Sequence, residues 1–145
     1  MTVITTFAEK QRKKRWLFER KVLRELSLKE ISEGVKEHFK YLFPTQYLRH
    51  PFLEDPCIDI AIDAYLLGAE FSRFGYYGET MNQVRKRCFP DIHELISSLF
   101  ELLQGWTYQA DFVADSLFVA VETYVYHWWE KGFSEGEKRY RLRLH

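Results

Sequence analysis

The sequence has little cysteine and no long uncharged apolar run, and both absences narrow the class of protein. Cys57 and Cys88 are the two cysteines, and they do not form a CxxC pair, so we expect a reduced cytosolic protein with two buried thiols. No run of about 18 uncharged apolar residues is present, so we expect no membrane span. The first charged residues follow a very short apolar stretch, which is the reverse of the order in a signal peptide. These features predict a soluble cytoplasmic protein.

The motifs of common catalytic and cofactor sites are missing as well. The sequence contains no glycine-rich phosphate loop, no Gly-x-Ser-x-Gly turn and no zinc-type spacing of Cys and His. The basic residues just before Cys88 would lower the pKa of its thiol if the thiol were exposed, but neither cysteine has a histidine beside it in the sequence. We therefore assign no catalytic residue, no metal ligand and no cofactor, and an enzyme is the less favoured class.

The charges balance over the whole chain but are unevenly distributed. Residues 1–25 hold eight Lys or Arg and three Glu, a net charge of +5, and residues 131–145 hold five and two, a net charge of +3. The remaining residues, 26–130, therefore carry a net charge of −8. Basic ends around an acidic middle indicate either neutralisation within the chain or a partner for the ends.

Hydrophobic periodicity predicts helices along most of the chain, and capping and turn residues set their bounds. Ser27 with Glu30 and Thr80 with Gln83 form capping boxes at the start of two helices. The segment 44–56 has three prolines and no helical period, so it is predicted to be a loop, with the next helix beginning at its last proline. The predicted helices cover residues 8–25, 28–43, 56–74, 81–88, 91–104 and 108–131.

The segment 108–131 is the element around which the predicted fold is organised. Apolar residues cover most of its helical wheel, which is typical of a helix buried on most sides. Gly132 is predicted to end it. The tail beyond has two interpretations, because Ser134 and Glu137 form a capping box that favours a short helix, whereas residues 140–145 alternate apolar and basic as in a strand. The helix is the preferred one.

These elements predict an all-α fold. We expect a single-domain helical bundle of five to seven helices around the buried central helix at about 108–131. The predicted domain spans residues 1–145, with a basic N-terminal helix at about 8–25 and a basic C-terminal tail at 133–145.

Two acidic stripes share one spacing, four residues and then seven, on helices that are otherwise apolar. An unpaired buried carboxylate is costly, so each stripe needs solvent or a cation. Bundles that hold two metal ions combine inward carboxylates with a Glu-x-x-His pair, and the chain has no such pair. Solvent or arginine partners are therefore favoured, and a carboxylate-based metal-binding bundle is the alternative. The stripes are Asp59, Asp63 and Glu70, and Asp111, Asp115 and Glu122; the candidate arginines are Arg12, Arg15, Arg20, Arg73 and Arg85.

Aromatic residues make up 17% of the sequence, which indicates a ring-rich core with some rings left for a partner. Trp, Tyr and Arg carry most of the energy in interfaces. We therefore predict a non-enzymatic protein–protein interaction or regulatory module that contacts another protein or a second copy of itself. Packing in the core is the alternative role for each candidate residue. The candidate partner-binding residues are Trp16, Tyr76, Tyr77, Trp128, Trp129, Tyr140, Arg141 and Arg143.

Nucleic acid is the other class of partner that the charges suggest. The segments KQRKKRW and KRYRLRLH interleave basic and aromatic side chains, as phosphate contacts and base stacking require. The chain as a whole is neutral, and its acidic middle would repel a polyanion. Nucleic-acid binding through the basic ends is therefore an alternative to a protein partner.

Four segments carry a resemblance to a known family: KKRWLFERKVLRELSL, CIDIAIDAYLLGAEFSRFGYYGE, KRCFPDI and YHWWEKGFSEGEKRYRLRLH. Together they resemble the small YbaK-type family of unknown function from Bacillus and related spore formers, which is distinct from the aminoacyl-tRNA editing family of the same name. The resemblance covers nearly the whole chain. It implies a bacterial cytosolic protein, and it transfers no catalytic residue.

Overall fold

The protein consists of helices throughout the part of the chain that the structure describes. The computed structural model describes residues 14, 17, 20, 22, 23, 26–48, 50–105 and 111–142, with the backbone alone at 45, 46 and 111–113. The all-α fold class predicted from the sequence is confirmed. Its helices are α1 (Leu28–Phe39), α2 (Thr45–Leu48), α3 (Pro51–Tyr76), α4 (Met81–Arg87), α5 (Phe89–Gln104) and α6 (Asp111–Arg141), and residues 14, 17, 20, 22 and 23 are also helical.

The two longest helices, α3 and α6, form the centre of the bundle and make its most extensive contact. Their backbones come close because glycines face each other across the contact. A Cβ atom added to Gly68 would collide with the backbone carbonyl of Trp129, and one added to Gly132 would collide with the carbonyl of Tyr65. The absence of these Cβ atoms lets the backbones approach, so that Trp129 and Tyr65 are almost fully buried.

The other helices cover this central pair with the apolar stripes expected from the sequence. In α5 the buried residues Ile92, Ile96, Leu99 and Leu103 follow a helical period. In α1 the buried side chains at positions 31, 35 and 39 do the same. Thus the hydrophobic periodicity that predicts these two helices coincides with the residues that they bury.

Helix α3 begins at Pro51, so the prediction that it begins at Pro56 is wrong. Pro51 occupies a first-turn position, and His50 caps the helix by accepting a hydrogen bond of 3.3 Å from the Phe52 N–H. Pro56 lies inside the helix, where it removes one backbone hydrogen bond. Leu53, in the turn before it, is 0% exposed, and burial of such an apolar side chain stabilises this part of the helix. The predicted loop is further shortened by α2.

Helix α6 continues through Gly132 to Arg141, so the prediction that Gly132 ends it is wrong. Gly132 is buried against α3, where close packing selects a residue without a side chain. The helical interpretation of the tail is confirmed as far as Arg141, and residues 143–145 lie outside the described residues. Tertiary contact therefore explains a glycine whose sequence context is typical of a helix end.

The capping predictions differ in outcome. Thr80 and Gln83 form both hydrogen bonds of the capping box, 2.8 and 3.2 Å long. Ser27 accepts the Glu30 N–H at 3.4 Å, but the Glu30 carboxylate instead accepts a hydrogen bond of 2.8 Å from Lys131 on α6. The organisation of residues 1–145 as one domain stays a prediction, as does the basic helix at about 8–25, most of which lies outside the described residues.

Candidate functional site

Two of the predicted partner-binding residues belong to the core. Trp128 and Trp129 are 1% and 0% exposed, and Trp129 stacks on Phe133 with ring centroids 5.3 Å apart. Neither indole reaches the surface of the folded chain, so both take the core-packing role that the sequence left open. Outside the described residues or side chains lie Trp16, Asp111 and Arg143.

The other three predicted rings form a cluster where α3 and α6 end. Tyr76 and Tyr140 stack across the two helices, with centroids 5.7 Å apart and planes 24° from parallel. Tyr77 meets Tyr76 edge-on at 5.2 Å and is 78% exposed. Arg141 and Leu142 follow directly and are also exposed. We call these five residues, Tyr76, Tyr77, Tyr140, Arg141 and Leu142, the tyrosine platform.

Basic side chains lie in the last turns of the two helices that carry the tyrosine platform. Arg73 in the last turn of α3 and Lys138 in the last turn of α6 are exposed. A third cation, Arg87, lies 4.4 Å above the ring of Phe74 and donates a hydrogen bond of 2.8 Å to Glu79. Glu79 therefore balances the charge of Arg87, whereas Arg73, Lys138 and the platform's own Arg141 are exposed.

The acidic stripes lie on separate surfaces. Asp59 and Asp63 are exposed on α3, and Glu70 is half-buried. Asp63 and Glu70 line a groove of about 360 Å³ together with Asp91 and Glu94 of α5. On α6, Asp115 is exposed and Glu122 is half-buried. Arg85, one of the predicted partners of the stripes, instead binds Glu130.

Glu122 lines a cleft of about 540 Å³ between α1, α4 and α6. His38 from α1 and His127 from α6 lie there with ring centroids 5.3 Å apart. Arg85 binds Glu130 in the same cleft and lies 5.0 Å from the centroid of the Tyr126 ring. We call the cleft lined by His38, Arg85, Glu122, Thr123, Tyr126, His127 and Glu130 the histidine cleft.

Burial and nearby charges shift the pKa values of two side chains in the histidine cleft, His127 and Tyr126. Partial burial lowers the pKa of His127, and the nearby His38 and Lys131 lower it further, against the opposing effect of Glu130 and Glu37. Burial also raises the pKa of Tyr126. His38 is oriented by its Nδ1–H, which donates a hydrogen bond of 2.8 Å to the Gly34 carbonyl.

The chain matches over residues 1–145 the family described as "Protein of unknown function (DUF2521)". The chain belongs to this family. It is also 35% identical over 146 residues to the "Uncharacterized protein YbaK" of Bacillus subtilis (strain 168), covering 99% of this chain and 99% of that protein. The resemblance drawn from the sequence is thereby confirmed. No solved structure matches the chain.

This DUF2521 member has no membrane-crossing helix in the part of the chain that the structure describes, since none there is long and apolar enough. Within the same residues, no group of three or more His, Cys, Asp or Glu side chains is placed to hold a metal ion. Both cysteines are free and 0% exposed. Burial raises the pKa of Cys57 to about 12 and that of Cys88 to about 11.

The histidine cleft was missed in the sequence because its members come from three helices. On α6 itself, His127 lies five residues after Glu122, a spacing that does not place the two on one helical face. No spacing relates it to His38, which enters from α1. The available signal was on α6 alone, where Thr123, His127 and Glu130 recur at intervals of four and three and so share one face.

Proposed function

We propose that this DUF2521 member is a non-enzymatic protein–protein interaction module, which binds an acidic segment of another protein through the tyrosine platform. The stacked pair Tyr76 and Tyr140, with exposed Tyr77 beside it, is the observation that carries the proposal. Tyrosine supplies a large contact area at a low cost in conformational entropy, and it is enriched among the residues that dominate interface energy.

The rings of the platform are held in place before any partner binds. Tyr76 stacks on Tyr140 from the opposite helix, and Tyr77 lies edge-on to Tyr76. Little side-chain conformational entropy would therefore be lost when a partner binds, which favours affinity. Leu142, 60% exposed, adds apolar area at the same end.

Charge complementarity selects the chemistry of the partner. Arg73, Lys138 and Arg141 are exposed in the last turns of the helices that carry the rings, while Arg87 is already paired with Glu79. A tyrosine surface with exposed cations in the same helical turns attracts an acidic chain and repels a basic one. An acidic segment that also carries apolar side chains would use both features of the platform.

The proposed place of action is the cytoplasm. Two free thiols, Cys57 and Cys88, suit a reducing compartment. Regulation of the partner, rather than chemistry on it, is the proposed role, because the platform consists of ring faces and cations and contains no nucleophile with an adjacent base.

The test is affinity capture from a lysate of the encoding organism, with nuclease added, followed by binding measurements on the isolated partner. The decisive variant is Tyr77→Ala combined with Arg141→Glu, since both side chains are exposed. We expect it to weaken binding by about 2 kcal/mol, as hot-spot residues do. Higher salt should weaken the wild-type complex through a lower association rate.

The matched control is Tyr41→Ala. Tyr41 is 86% exposed on the turn after α1, outside the platform, so its removal tests whether any surface tyrosine matters. Equal binding by the platform variant and the wild type would contradict the proposal. Material that is captured only when nuclease is omitted would instead favour nucleic acid, and recovery of the chain's own second copy would favour self-association.

A further inference from the structure

We propose that His38 and His127 form a binding site for one divalent transition-metal ion of the zinc type. The two imidazoles belong to different helices, α1 and α6, and both line the histidine cleft. The site is separate from the tyrosine platform, so neither proposal depends on the other.

The distance between the rings fits two ligands of one ion. Their centroids are 5.3 Å apart and their planes are tilted by 54°. Two imidazoles bound to one tetrahedral ion at Zn–N distances of about 2.0–2.1 Å have ring centroids about 5 Å apart. The helices therefore hold the histidines at the required separation without a large backbone movement.

The hydrogen bond of His38 resembles the support that metal-binding histidines receive. Its Nδ1–H donates to the Gly34 carbonyl at 2.8 Å, one helical turn earlier. Histidine ligands usually donate their second ring N–H to a carbonyl or carboxylate, which fixes the tautomer and the ring orientation. In the neutral ring of His38 this bond leaves the lone pair on Nε2, the nitrogen available to a metal ion.

Carboxylates near the pair oppose the positive charge of Lys131 at His127. Arg85 is bound to Glu130 and Lys131 to Glu30, so both nearby cations have anionic partners. Glu122 lines the cleft, and Glu37 is close enough to act electrostatically on His127. Glu122 and Glu37 therefore add negative charge near the pair beyond these two ion pairs.

The type of ligand selects the type of metal. Imidazole suits Zn²⁺, Cu²⁺ and Ni²⁺, whereas Mg²⁺ and Ca²⁺ prefer oxygen ligands. Because the described residues include no group of three or more side chains placed around an ion, water would occupy the remaining positions. Such a site keeps coordination positions open to an additional ligand.

The experiment is calorimetric titration of the untagged full-length protein, freed of metal with a chelator and then dialysed. We expect ZnCl₂ to bind saturably at one ion per chain, NiCl₂ to bind at the same site, and MgCl₂ not to bind. The single variants His38→Gln and His127→Gln should each weaken zinc binding at least tenfold. The matched control, His93→Gln, changes an exposed histidine on α5 outside the cleft and should leave zinc affinity unchanged.

A second measurement on the wild-type protein avoids any effect of substitution on folding. Diethyl pyrocarbonate modifies accessible imidazoles, and mass spectrometry locates each modification. We expect zinc to protect His38 and His127 while His50 and His93 react as before. Absence of saturable zinc binding, equal loss of affinity in His93→Gln, or identical modification of the four histidines with and without zinc would each overturn the proposal.

Discussion

The Tyr124 hydroxyl on α6 donates a hydrogen bond of 2.7 Å to the backbone carbonyl of Cys57 on α3. Both residues are 0% exposed, so this polar bond lies inside the contact between the two central helices. Burial raises the pKa of Tyr124 above its usual value, which keeps the donating proton in place. The bond ties α6 to the N-terminal half of α3.

Removing that hydroxyl should destabilise the fold modestly. We expect Tyr124→Phe to lower the free energy of unfolding by about 1 kcal/mol, the usual net value of a buried hydrogen bond. Urea denaturation followed by circular dichroism measures the change. Tyr41→Phe, on an exposed ring, is the control and should have no effect; equal stability of Tyr124→Phe and wild type would contradict the assigned role.

A methyl group at the closest approach of α3 and α6 should be far more damaging. In Gly68→Ala and Gly132→Ala the new Cβ would meet backbone atoms of the opposite helix, which cannot move aside as a side chain can. We expect each to reduce the free energy of unfolding by about 3 kcal/mol, at the upper end of overpacking effects. Thermal and urea denaturation provide the measurement.

The control for the glycine variants is Gly105→Ala. A Cβ there lies 3.6 Å from its nearest neighbour, the Leu102 carbonyl, which is ordinary contact. Because Gly105 has an αR backbone, we expect this change to leave stability unchanged or raise it by up to about 1 kcal/mol. A loss as large as that of Gly68→Ala would show that the α3–α6 approach is not the cause.

Acid should destabilise the metal-free protein through His127. Its pKa is lower in the folded chain than the usual 6.5, first because of partial burial and then because of His38 and Lys131. The unfolded chain therefore binds the proton more readily, so stability is retained above pH 6.5 and falls as the pH drops through and below that value. Glu130 and Glu37 oppose the shift.

The measurement is the urea midpoint between pH 8 and 5, with a chelator present. We expect His127→Gln to make stability depend less on pH in this window, and His93→Gln to follow the wild-type curve. Parallel curves for His127→Gln and wild type would refute the assignment.

The two cysteines should react slowly in the folded protein. Burial raises the pKa of Cys57 to about 12 and that of Cys88 to about 11, so little thiolate forms near neutral pH, and access is blocked as well. We expect iodoacetamide to label both slowly under native conditions and rapidly in guanidinium chloride. Much faster native labelling of Cys88 than of Cys57 would instead indicate a reactive thiol.

Local signals predicted those features that depend on neighbours along the chain. The Thr80 capping box and the apolar stripe of α5 follow from hydrogen bonds and helical periods within a few residues. The same local rules misplaced the start of α3 and the end of α6. At Gly132 the local signal was overridden by close packing against α3, and at Pro56 by a helix that had already begun at Pro51.

The candidate sites divide in a similar way. Tyr76, Tyr77 and Tyr140 were selected by residue type, and the structure adds that they meet at one end of the bundle. Trp128 and Trp129 carried the same signal but are buried. Whether an aromatic ring faces a partner or the core depends on which helix covers it, and residue type carries no such information.

Composition and periodicity were sufficient to predict an all-α fold with a core rich in aromatic rings. Helix formation and apolar burial both follow from apolar residues spaced three and four apart. The pairing of His38 with His127 across the histidine cleft, and of Tyr76 with Tyr140 at the platform, came from the close approach of helices distant in sequence. Such pairs are created by packing in three dimensions, where side chains without any regular spacing along the chain become neighbours.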